Sequence, residues 1–283
     1  MVITEFLPWN NLFTFIITYL VIMVAIVQWK KDTSIANFTW GWGVMLLSLF
    51  FWFHLEPLII EPSALNETGR QTLITILTTL WGLRMLVHLY MRYTGKDPRY
   101  IQWHKEGMPA LIFNIAYIFT LQLLLLIIMV LPIFAVYFMR TSASLGILDL
   151  IGTLLWCIGF FFESVGDYQL YKFTQNPNNR GKVMRYGLWK YTRHPNYFGE
   201  ICLQWGIYII AYSQFRIFVF DPHAIYITKY ILLISPLTIT ILLRYITGVP
   251  WVEKVFDNNA EYQEYKKRTN TLIPWFPKKE YVI

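Results

Sequence analysis

Seven apolar stretches, each long enough to cross a bilayer, decide what this chain can fold into. They cover about residues 11–28, 38–60, 71–93, 109–138, 145–170, 196–220 and 224–247. A hydrocarbon core about 30 Å thick takes roughly 20 apolar residues in helical form, and a helix satisfies its backbone hydrogen bonds within its own segment. The expectation is an all-α integral membrane protein with about seven transmembrane helices. Composition agrees: 56% hydrophobic against 14% charged residues lies outside the usual range of a soluble domain. Trp and Tyr flank the apolar runs, where amphipathic rings settle at headgroup level. The first run has neither a basic leader nor a small-residue cleavage site, so it reads as a retained helix and not a signal peptide. Cys157 and Cys202 fall inside apolar runs without metal or redox spacing, so they read as buried free thiols, and no metal site is expected.

The net charge of +7 suits nucleic acid in a soluble protein, but here the basic residues concentrate in particular loops. Lys30 and Lys31, the Arg92–Lys105 segment, the Arg180–Arg193 segment and the tail from Lys254 to Lys279 are rich in Lys and Arg; the alternate loops hold only Arg70, Arg140, Arg216 and Lys229. The positive-inside rule then places the N-terminus outside and the C-terminus in the cytoplasm. The charge reads as orientation plus a local anion site, and no nucleic-acid partner is expected. No repeat or soluble domain interrupts the chain, which reads as one polytopic unit: residues 1–145 carry helices one to four, and 146–283 carry helices five to seven and the cytoplasmic loops. After Gly248-Val249-Pro250, the spacing of Trp251, Val255, Tyr262 and Tyr265 suggests an interfacial helix.

Between the fifth and sixth runs lies Gly187 to Glu200, GLWKYTRHPNYFGE, where cationic, aromatic and amide side chains crowd together. Lys190, Arg193 and His194 suit phosphate, Trp189, Tyr191 and Tyr197 offer flat faces, and Asn196 can read an amide edge. Other polar residues lie within the apolar runs. Glu56 precedes Pro57 on the second, Arg84 and His88 are one turn apart on the third, Glu163 and Asp167 share a face of the fifth, and Arg244 ends the seventh. A charge at mid-membrane costs about 2.5 to 3.5 kcal/mol on insertion scales, so each needs a partner, an interface or a wet cavity. Interhelical ion pairs that merely hold the bundle are one use for them. Alternatively Glu56, among Phe, Trp and Leu, is a neutral acid able to donate a hydrogen bond to a carbonyl, while Glu163 and Asp167 either accept from ribose hydroxyls or pair with Arg193 or Arg244.

GLWKYTRHPNYFGE, with FESVGDYQLYKF before it and LLRYITGVPWVEKVF after it, resembles the C-terminal half of the steroid 5α-reductase family. The likeness spans roughly residues 150–277; upstream it is carried by Leu55-Glu56-Pro57 and Trp81-Gly82-Leu83-Arg84. A bacterial-type member of that family is implied, in the inner membrane of a bacterium or the endoplasmic reticulum of a eukaryote. The resemblance implies a seven-helix reductase that transfers hydride from NADPH to the double bond of a 3-keto steroid or similar apolar enone drawn from the bilayer, acting as a monomer. By position, Glu56 matches the catalytic acid, with Trp81 and Arg84 beside it in the catalytic group. Asp167, Asn196, Glu200 and Arg244 match cofactor-site positions, joined by Glu163, Lys190, Tyr191, Arg193, His194 and Tyr197. The chain departs from the steroid enzymes at Leu55, where they have Gln, at Trp81, where they have Tyr, and at Glu163, where they have Asn. Carbonyl recognition has therefore lost polar partners, though the acid itself remains.

The Arg193-His194-Pro195-x-Tyr197 segment with Glu200 also looks like the signature of isoprenylcysteine carboxyl and phospholipid methyltransferases, which use S-adenosylmethionine. Glu56 and the Asp167 block favour the reductase, because methyl transfer needs no buried acid at that depth. A non-catalytic sterol or lipid binder is the third reading. No G-x-G-x-x-G follows a strand, so dinucleotide phosphates would be held by side chains such as Lys190, Arg193 and Arg244.

Overall fold

A computed structural model describes residues 9–30, 39–55, 69–92, 112, 121–138, 144–216 and 222–278. Among these residues, seven long helices follow one another: α1 (Trp9–Lys30), α2 (Thr39–Leu55), α3 (Gly69–Arg92), α4 (Leu123–Phe138), α5 (Ile147–Gln175), α6 (Pro195–Tyr212) and α7 (Pro222–Ile241). A π-helical turn, Leu242–Ile246, prolongs α7, and two short helices complete the chain, α8 (Val249–Lys254) and α9 (Ala260–Arg268). No strand occurs among the described residues; the β-type contact is an isolated parallel bridge between Thr192 and Asn270. Segments covering α1, α3, α5, and α7 with its extension are long and apolar enough to cross a membrane, and α2 and α4 contribute shorter apolar helices. The protein is an all-α membrane protein.

The chain divides into two compact units, residues 1–145 with 216–218, and residues 146–215 with 219–283. In the first, α2 packs on α3 and α4. Gly82 allows close approach: a Cβ there would lie 2.6 Å from that of Met45. Two buried polar groups tie α3 to α4 in this unit. Gln71 Nε2 donates to the Val136 carbonyl at 3.3 Å, and the Thr75 and Tyr137 hydroxyls bond each other. Helix α4 runs through Pro132, which is buried.

The second unit is built on a seam between α5 and α6. Gly152, Gly159 and Gly166 recur every seven residues on α5 and face Gly206, Gly199 and Pro195 of α6. A seven-residue period keeps one stripe turned to a neighbouring helix, and without side chains there the backbones come together, as small residues permit in membranes. A Cβ built on Gly159 would lie 2.5 Å from the Gly199 carbonyl oxygen, and one on Gly199 2.5 Å from the Glu163 amide nitrogen. The outer face of α5 carries Leu150, Ile151, Leu154, Ile158 and Phe161, all exposed, while Asp149, Glu163 and Asp167 are buried. This pattern of aliphatics outward and polar groups inward suits a helix whose solvent is lipid. Cys157 belongs to the outward face and is exposed, against the expectation of two buried thiols; Cys202 is buried, and both are free.

Asp149 fastens the far end of the seam. Its carboxylate accepts from the Gly146 amide at 2.8 Å and the Ser213 hydroxyl at 2.7 Å. One bond satisfies an orphan donor at the helix start, and the other ties α5 to the residue that follows α6. The expected single interfacial helix in the tail is corrected. Pro250 lies in the first turn of the short α8, Asn259 caps the separate α9 by accepting from the Tyr262 amide at 2.9 Å, and Tyr262 and Tyr265 are buried with Val183, with the half-buried Phe256 packed against them. Their apolar rings are spent on the protein, not on lipid.

Candidate functional site

The GLWK part of the opening motif forms a 3-10 turn, Gly187–Lys190, docked on the end of α5. Gly187 has φ of 60°, the left-handed region that glycine tolerates, and a side chain there would strike Gln169. Gln169 Oε1 accepts from the Leu188 amide at 2.9 Å, and Trp189 Nε1 donates to the Gly166 carbonyl at 2.9 Å. The next residues are gripped by the C-terminal segment. Tyr265 Oη donates to the Trp189 carbonyl, the Trp275 amide donates to the Tyr191 carbonyl at 3.0 Å, Thr192 Oγ1 donates to the Thr271 carbonyl at 3.1 Å, and the Arg193 amide donates to the Asn270 carbonyl at 2.9 Å. Burial pushes the Tyr262 and Tyr265 phenols above the usual tyrosine range.

Arg193 is turned into the protein. Its Nε donates to Glu253 Oε1 at 2.8 Å, its Nη1 to the carbonyls of Lys266 (3.2 Å) and Thr269, and its Nη2 to Thr271 Oγ1 at 2.9 Å. The guanidinium fork suits such divided bonding. Its salt bridge is with Glu253, a partner that the alternative of pairing Arg193 with Glu163 or Asp167 does not contain. His194 Nε2 meets the same carboxylate oxygen at 3.0 Å, and Lys266 Nζ lies 3.0 Å from Oε2. Glu253 is buried on α8 and gathers all three groups. No local signal in GVPWVEK marks it; what demands it is the buried Arg193, whose partner only the fold reveals.

Burial holds the His194 imidazole below its ordinary value, outweighing the raising influence of the Glu253 hydrogen bond and charge; Arg193 and Arg244 lower it further. The ring stacks on Tyr197 at 5.3 Å between centroids. A neutral imidazole therefore donates Nε2–H to the carboxylate. Between its lowered value and the ordinary 6.5, the unfolded chain binds a proton that the folded chain refuses. Stability contributed here is present above pH 6.5 and is lost as pH falls below it. The thermal midpoint in detergent should fall as the pH is lowered below 6.5, and His194→Gln should flatten that slope.

One residue beyond the Pro195 that begins α6, the chain reaches the site itself. Asn196 Nδ2 donates to Asp167 Oδ1 at 3.1 Å. A carboxylate only accepts, so the amide nitrogen must face Asp167, and Asn196 Oδ1 is left buried without a hydrogen-bond partner. Such an atom calls for an N–H or O–H donor. Around this pair the α5–α6 seam brings Glu163, buried against Gly199, and Glu200 lies one turn after Asn196. Lys190 is exposed, 5.9 Å from the Tyr191 ring; Tyr191 meets Phe276 edge-on. Arg244, half-buried in the π-helical turn, lies over the Tyr245 ring and close enough to His194 to influence it.

In the first unit, Trp81 is buried on α3, and Arg84 is half-buried with Nη1 3.0 Å from Met85 Sδ. Glu56 lies outside the described residues. Among the described residues, no group of three or more His, Cys, Asp and Glu is placed to hold a metal ion.

Fold and site together define a helical membrane protein with a carboxylate–amide pair, the carboxylate buried and the amide half-buried, at the end of a glycine seam. The chain belongs to the family described as Protein of unknown function (DUF1295), whose profile matches residues 23–269. No curated protein and no solved structure matches it.

Proposed function

We propose that this protein is a membrane reductase that transfers hydride from NADPH to the conjugated double bond of a 3-keto steroid or similar apolar enone. The observation that carries the reading is the Asp167–Asn196 pair with its orphaned carbonyl. The pair offers one carboxylate and one amide oxygen to a ligand rich in hydroxyl and amide donors, such as a ribose or carboxamide. Lys190 and Arg244 are the cations assigned to the phosphates, and Glu163 and Glu200 are assigned to other parts of the same cofactor. The bound dinucleotide supplies the hydride. Hydride addition at the β-carbon moves the double-bond electrons onto the ketone oxygen, where the neutral Glu56 acid donates a hydrogen bond to the developing oxyanion; a proton then goes to the α-carbon. The orientation read from the loop charges lets the anionic cofactor arrive from the cytoplasm and the apolar substrate from lipid.

The internal use of Arg193 and His194 bears on the methyltransferase alternative. Residues bonded to Glu253 and to backbone carbonyls build a corner, and a corner can be shared by enzymes of different chemistry. Arg-His-Pro therefore does not favour S-adenosylmethionine, and the choice rests on Asp167, Asn196 and Glu56. Binding of NADPH against S-adenosylmethionine to the purified protein tests the assignment. Asn196→Ala is expected to weaken NADPH binding about tenfold, the scale of one lost charge-assisted hydrogen-bond arrangement; unchanged affinity would remove the pair from the cofactor site.

A further inference from the structure

Glu253 sits where three parts of the second unit meet. Its Oε1 accepts from Arg193 Nε at 2.8 Å and His194 Nε2 at 3.0 Å, and its Oε2 lies 3.0 Å from Lys266 Nζ on α9. Arg193 and Glu253 are each about 7% exposed at the side chain, whereas Lys266 is 41% exposed. The cluster is thus a buried charge pair with one cation reaching solvent. Breaking a buried pair by removing one partner is costly because the other charge stays behind.

Its place in the chain gives the cluster more than a stabilising part. His194 is the N-cap of α6 and Asn196 is two residues later, the second position of the helix. Holding the side chains of both Arg193 and His194 on one carboxylate oxygen fixes the direction in which Asn196 leaves the corner. On the other side, Pro195 lies against Gly166, where an added Cβ would approach it to 3.0 Å, and Gly166 precedes Asp167 on α5. The register between Asn196 and Asp167 is held at one end by the glycine seam and at the other by Glu253.

We propose that Glu253 is a positioning residue for the Asp167–Asn196 site. It clamps Arg193 and His194 so that the Asn196 carbonyl is presented in fixed register with Asp167, and through Lys266 it draws the 260–278 segment over the motif. The inference rests on the reading of that pair as a cofactor site. It assigns Arg193 to the scaffold and leaves Lys190 and Arg244 as the cations that meet an anionic ligand.

The test uses the full chain in detergent, with Glu253→Gln, Glu253→Asp and, because the first two alter a buried group, Lys266→Met at the exposed end of the cluster. NADPH affinity and the rate of tryptic cleavage after Lys267 and Arg268, sites kept in every variant, are read in parallel. Glu253→Gln should weaken NADPH binding about tenfold or more and speed cleavage, the scale of one lost charge-assisted bond. Glu253→Asp should recover part of both, and Lys266→Met should speed cleavage with a smaller loss of affinity. Faster cleavage with unchanged NADPH affinity would overturn the proposal, leaving Glu253 as a tether of the tail alone. If Glu253→Gln does not fold, unchanged affinity in Lys266→Met despite faster cleavage overturns it equally. If the wild type binds S-adenosylmethionine and not NADPH, the reductase reading fails, and the same variants measured with S-adenosylmethionine decide the positioning role by the same criteria.

Discussion

Glu56→Gln is expected to lower enone reduction about a hundredfold or more, the scale of losing a preorganised donor to a developing oxyanion, while leaving NADPH affinity unchanged. An amide still has an N–H, but it is a far weaker acid than a carboxyl and stabilises an enolate less. Because Glu56 is assigned to the ketone and not to the cofactor, the loss should appear in turnover at saturating NADPH. The measurement is the fall in NADPH absorbance with an enone steroid, beside a direct binding titration. Wild-type turnover in this variant would remove Glu56 from the mechanism; lost NADPH binding would move it to the cofactor site.

The second large effect concerns the seam. In Gly199→Ala the new methyl would lie 2.5 Å from the Glu163 amide nitrogen and 2.5 Å from the Gly159 carbonyl oxygen. Those atoms are helix backbone and cannot rotate away, so the helices must part. Overpacking a tight interior costs about 1 to 3 kcal/mol, occasionally more. The thermal midpoint should drop, and Cys202, which lies beside Gly159, should become open to a maleimide, with the exposed Cys157 as internal control. Gly69→Ala, where the nearest atom is 3.7 Å away, should change neither. A Gly199→Ala protein with wild-type stability and a protected Cys202 would mean that the helices are not in contact as described. The same substitution should disturb the Asp167–Asn196 register, since both residues project from the parted helices.

The sequence names members of the site without naming the partners they meet. Asp167 and Asn196 lie in separate segments and meet through the seam, whose glycine period at 152, 159 and 166 is legible in the chain. The signal was there: three glycines at a seven-residue spacing on one apolar helix. Arg193 and His194 have the chemistry of an anion site, and the fold turns them toward Glu253, which has no distinguishing local context. Tyr262 and Tyr265 looked like lipid-facing aromatics because spacing reports which residues share a helix face, not what that face meets.

The sequence by itself determined that the chain is helical and belongs in a membrane. Apolar length and backbone hydrogen bonding leave no other solution for such segments, and this holds whatever the segments pack against. It also determined which side chains are able to carry charge and hydrogen bonds. Only the tertiary structure decided which of them face one another. Whether a cation meets a ligand or a buried carboxylate depends on residues that lie 60 positions away, as Glu253 does from Arg193, and local patterning carries no record of such partners.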